Sequence, residues 1–92
     1  MSFKVFVDDN FHYQDSSERY EQGEYDTFEE AVVVCKSIVD KYLADTFKDG
    51  MSADELYKHY VAFGDDPFVV PVPNDKTFFS AWDYAKERCS KM

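Results

Sequence analysis

Oxygen donors and one imidazole crowd the segment 8–18, where Asp8, Asp9, Asn10, His12, Asp15 and Glu18 follow one another at short spacing. A set of this kind suits a hard divalent cation, or the basic side chains of a partner. The spacing is not that of an EF-hand loop. Counting from Asp8, Asn10 fits the third position, but His12 fills the fifth, no glycine follows, and Arg19 replaces the closing glutamate. A looser site needs carboxylates from elsewhere in the chain, and Asp65 and Asp66 can supply them. If the strand that follows them pairs antiparallel with the strand carrying Asp8 and Asp9, the four aspartates meet at one end of a sheet. His12 then lies on the strand face of Asp8. The candidate binding residues are Asp8, Asp9, His12, Tyr13, Tyr20, Asp65 and Asp66, with the two tyrosines as anchors in an acidic surround.

Other reactive groups point away from catalysis. Cys35 and Cys89 fall on the apolar stripes of helices, whereas a nucleophilic thiol needs a helix N-terminus or a neighbouring base. Two cysteines and two histidines share no zinc-ligand spacing. Glu55 and His59, four apart, make a helix-surface pair before they make a tuned base. Only three glycines occur, and no nucleophile elbow, phosphate loop or dinucleotide fingerprint is present. The expectation is a noncatalytic protein without a cofactor and without a standard metal centre.

Charge narrows the partners. Nineteen acids face ten bases, a net charge of −9, and no basic cluster stands out. Binding a nucleic-acid backbone requires lysines and arginines that displace counterions, so direct nucleic-acid binding is excluded. Attraction to an anionic membrane fails for the same reason. No apolar run reaches the length of a membrane span or of a signal-peptide core. Two cysteines without a secretory signal suggest free thiols in a reducing cytoplasm.

The elements that position these groups are legible from period and punctuation. "FKVFV" alternates, with Phe3, Val5 and Val7 on one face and Lys4, Phe6 and Asp8 on the other. "QDSSE" is rich in turn formers, and "RYEQGEY" returns as a second strand with a bulge expected at Gly23. "TFEE" opens a first helix with Thr27 as N-cap, running from about 28 to 46 and ended by "KDG". Phe28, Ala31, Val32, Cys35, Ile38, Val39, Tyr42 and Leu43 form its apolar stripe, while Val33 and Val34 fall outside it. "SADE" opens a second helix at Ser52, with Leu56, Tyr60 and Phe63 inward and Gly64 in the C′ position. "PFVVPVP" reads as a strand at an edge, or one whose pairing stops at Pro71. A third helix begins near 77 or 80, with Phe78, Trp82, Ala85 and Cys89 as its stripe. The expected fold is α+β in one domain spanning 1–92. Its order is β-β-α-α-β-α, a three-stranded antiparallel or mixed sheet with helices packed on one face.

Taken together, "VDDNFHY", the "T-x-EEA" helix start and "FGDDPF" followed by "FSAW" resemble a small uncharacterised bacterial family with no established activity. That resemblance implies a bacterial cytoplasm and names no catalytic residue. The functional expectation is an acidic protein-interaction or regulatory module that faces a basic partner. A small-ligand or divalent-cation binder using the aspartates is the first alternative, and an acidic mimic of nucleic acid is the second. Val33 and Val34 leave a monomer and a weak homodimer both open.

Overall fold

The computed structural model describes residues 2–9 and 19–91, with Asp9 by its backbone. Residues 10–18, with Phe11, His12, Tyr13 and the whole of the "QDSSE" segment, lie outside the described residues. The order is β1 (Phe3–Asp9), β2 (Tyr20–Tyr25), α1 (Phe28–Thr46), α2 (Ala53–Phe63), β3 (Asp65–Val70) and α3 (Ala81–Cys89). The strands form one antiparallel sheet in the order β2-β1-β3, with β1 at its centre.

Alternation along β1 has the expected effect. Phe3, Val5 and Val7 are buried, and with Val69 they face α1, whose Phe28, Ala31 and Cys35 close that layer. A second cluster joins the helices: Val39 and Leu43 of α1, Leu56 and Tyr60 of α2, and Ala81, Ala85 and Cys89 of α3. Side chains such as Leu43 and Leu56, fully buried, each contribute about 1.5–3 kcal/mol through removal of apolar surface from water. Val33, off the α1 stripe, is 64% exposed.

Caps fix the helix starts. The hydroxyls of Thr27, Ser52 and Ser80 accept from the backbone N–H groups of Glu30, Glu55 and Asp83 at 3.1, 3.1 and 3.3 Å. Each bond satisfies a donor that the first turn would otherwise leave unpaired. With α3 starting after Ser80, Phe78 lies outside the helix and is 66% exposed, and Ala81, which the expected stripe did not include, is in the core instead. Phe63 is also exposed, at 55%, because it sits in the last turn of α2, beyond Leu56 and Tyr60, the buried residues of that helix.

Two glycines work differently from their sequence reading. Gly64 caps α2 with φ −77° and ψ 173°, an extended conformation rather than the left-handed one. It must be glycine because a Cβ there would sit 2.5 Å from Cδ1 and 2.7 Å from the carbonyl oxygen of Tyr60. The β2 irregularity falls next to Gly23: Val5 pairs with Gly23 and Phe6 with Glu21, which leaves Gln22 as the extra residue. β3 is an edge strand and ends at Val70, before a cis bond to Pro71, so both readings of that proline hold.

Candidate cation-binding face

The register of the β1–β3 ladder places Phe6 opposite Phe68, Asp8 opposite Asp66, and Asp9 opposite Asp65. The antiparallel pairing therefore brings the four aspartates to one end of the sheet along the backbone. The pleat then divides them, because successive residues of a strand point to opposite faces. Asp8 and Asp66 share the face turned away from α1, together with Phe6 and Phe68. Asp65 belongs to the other side. There it lines a cavity of about 320 Å³ with Tyr20 and with Ile38, Lys41, Tyr42 and Asp45 of α1. The four aspartates share one end of the sheet, as antiparallel pairing was expected to give, and alternation along β3 puts Asp65 and Asp66 on opposite faces.

On the outer face the two phenyl rings stack, with centroids 5.9 Å apart and planes at 23°. Arg19, one residue before β2, reaches across this face. Its Nε donates to Oδ1 of Asp8 at 2.6 Å and its Nη2 to Oδ2 at 3.0 Å, a two-pronged pair. The same guanidinium lies 4.9 Å from the centroid of the Phe68 ring, within cation–π range. Asp8 raises the pKa of Arg19 above its ordinary value, first through the hydrogen bond and then through its charge.

The Asp66 carboxylate has no hydrogen bond or ion pair among the described residues. Burial, with the neighbouring charge of Asp8 added, pushes its carboxyl up to about 6, and Arg19 offsets part of that rise. A carboxylate of this kind gains from any further cation brought to it. Lys4 sits farther along the same face and pairs with Glu21 at 3.4 Å.

The remaining sequence candidates are dispersed. Tyr20 is 53% exposed, and its hydroxyl pKa is raised by partial burial and by the charge of Asp65. His12 and Tyr13 lie outside the described residues. His59 is exposed, with its ring 6.5 Å from that of Phe63. Cys35 and Cys89 are buried free thiols, and burial drives the Cys35 thiol up to about 12. Among the described residues, no group of three His, Cys, Asp or Glu side chains is placed to hold a metal ion.

Sequence reasoning passed over Arg19 and Phe68 as parts of the face. A signal existed for Phe68, two residues beyond Asp66 and so on the same side of a strand. None existed for Arg19, whose partner is set by non-local pairing. No helix among the described residues is long and apolar enough to cross a membrane. Comparison with protein-family models, curated proteins and solved structures returned no match.

Proposed function

We propose that this protein is a noncatalytic interaction module whose β1–β3 face, built from Asp8, Asp66, Phe6 and Phe68, recognises a basic segment of a partner protein. One observation carries the reading: the face already holds a guanidinium, forked onto Asp8 and laid against the Phe68 ring. The chemistry that accepts Arg19 is the chemistry that accepts a partner's arginine or lysine. Asp66, beside it and short of a cation, adds the charge that draws a second basic residue. The overall charge of −9 favours encounter with a basic surface through long-range attraction.

A bacterial cytoplasmic setting belongs to the same proposal, supported by two thiols that remain unpaired. The test is fluorescence anisotropy of a labelled arginine- and lysine-containing peptide, with a peptide carrying glutamine at those positions as control. Binding of the basic peptide alone, lost in an Asp8→Asn/Asp66→Asn double variant, is the expected result. Equal binding of both peptides would refute recognition of charge.

A further inference from the structure

Next to the acidic face a cleft of about 430 Å³ runs between β3 and the start of α3. Asp66 and Phe68 form one wall, and Phe78, Phe79, Trp82 and Asp83 form the other. Among the described residues its lining holds aromatic rings and two carboxylates and no basic residue. Phe78 is 66% exposed, held in the segment before the Ser80 cap, and Trp82 is half-buried.

The charges decide what fits. Asp8 and Arg19 cancel each other as a pair, so Asp66 and Asp83 leave two negative charges at the cleft. The first turn of α3 opposes them with the helix dipole, equivalent to roughly half a positive charge. Asp83 itself lies in that turn, and its N–H is already taken by the Ser80 hydroxyl at 3.3 Å. Two carboxylates therefore outweigh the dipole, and the cleft is attractive to a cation. A bare metal ion needs more oxygen ligands than two carboxylates on facing walls supply. An ammonium carried on carbon is suited to both parts, its charge to the aspartates and its methylene or methyl groups to the ring faces.

We infer that the cleft between β3 and α3 is a binding site for an alkylammonium group, with Phe78 and Trp82 as its aromatic walls and Asp66 and Asp83 as its counter-ions. This deepens, and rests on, the reading of the sheet end as a surface for a basic partner: the cleft takes a lysine side chain, in free or methylated form, next to the arginine-type contact at Asp8. Trp82 is the single tryptophan of the chain, so all tryptophan emission comes from a residue that lines this cleft.

The experiment titrates the protein with choline, with its neutral carbon isostere 3,3-dimethyl-1-butanol, and with a lysine-containing peptide, following Trp82 fluorescence. A saturable change with choline and with the peptide, and none with the isostere, is expected. Asp66→Asn and Phe78→Ala should each weaken that binding by about tenfold, a loss in the range of one desolvated cation–π or charge contact. Phe78 lies outside the helix and is exposed, so its replacement leaves the core intact. An equal response to the isostere, no response to any ligand, or wild-type affinity in both variants overturns the site. A response to choline without one to the peptide keeps the cleft as a small-amine site and removes the partner-protein reading. Peptide binding detected by anisotropy of the labelled peptide that leaves Trp82 silent removes the cleft and keeps the face.

Discussion

Asp8 and Asp66 face each other across the β1–β3 ladder, yet Arg19 forks onto Asp8 alone. Two carboxylates sharing one cation cannot both be relaxed. The half-buried member bears the cost, so Asp66 keeps its proton to about pH 6.

That asymmetry makes stability depend on pH in a definite direction. The Asp66 pKa is raised by folding, from 3.8 to about 6, so between those values the native state holds a proton the unfolded chain has lost. Stability from this group is complete below pH ~4 and is lost as pH rises through ~6. With solvent screening allowed for, the penalty at neutral pH is about 1 kcal/mol. Asp66→Asn should remove it, raising Tm at pH 7 by about 4–8 °C and leaving Tm at pH 4 nearly unchanged. Thermal melts of both proteins from pH 4 to pH 7 check this.

Arg19 lowers the Asp66 pKa, while Asp8, through its hydrogen bond and charge, and then Asp66 raise that of Arg19. Replacing it by alanine should therefore move the Asp66 titration upward, above about 6. Carboxyl carbon shifts followed by NMR across the acid range read the change directly. A midpoint that stays in place would mean that Arg19 and Asp66 do not interact.

The thiols offer a chemical test of the core. Cys35 is fully buried with its pKa driven to about 12, and Cys89 is 2% exposed. Both should resist a disulfide exchange reagent in native protein at pH 8, and react fully once denatured. Rapid reaction of either thiol without denaturant would contradict the packing of α1 or α3.

Tyr60 ties α2 to β3. Its ring is fully buried, its hydroxyl donates to the Asp65 carbonyl at 2.7 Å, and Gly64 leaves room for it. Tyr60→Phe should cost about 1–2 kcal/mol, since the carbonyl loses a partner in a partly buried place. Gly64→Ala should cost about 1–3 kcal/mol through collision with that ring and its backbone carbonyl. Denaturant unfolding of the two variants measures both values.

Local chemistry explains what the sequence disclosed. Thr27 and Ser52 announce their helices through a hydroxyl three residues before a glutamate, and the stripe from Phe28 to Leu43 needs nothing beyond the helical period. β1 was legible because Phe3, Val5 and Val7 alternate with polar neighbours. Phe78 was misassigned because its spacing to Trp82 is helical, and only the cap at Ser80 reveals where α3 begins. The site was harder to read. Convergence of Asp8 with Asp66 depended on strand direction, which no local signal sets. Separation of Asp65 from Asp66 follows from the pleat once both are placed on one strand. The grip of Arg19 on Asp8 depends on β2 pairing beside β1, a contact spanning eleven residues.

The most direct measurement is a two-dimensional NMR titration of isotopically labelled protein with a peptide of alternating arginine and lysine, at low and at high salt. Saturable shifts at Phe6, Asp8, Asp66 and Phe68, weakening as salt screens the charges, are the expected result. Shifts spread evenly over the acidic surface, or none at those four residues, would contradict a cation-binding face on this sheet.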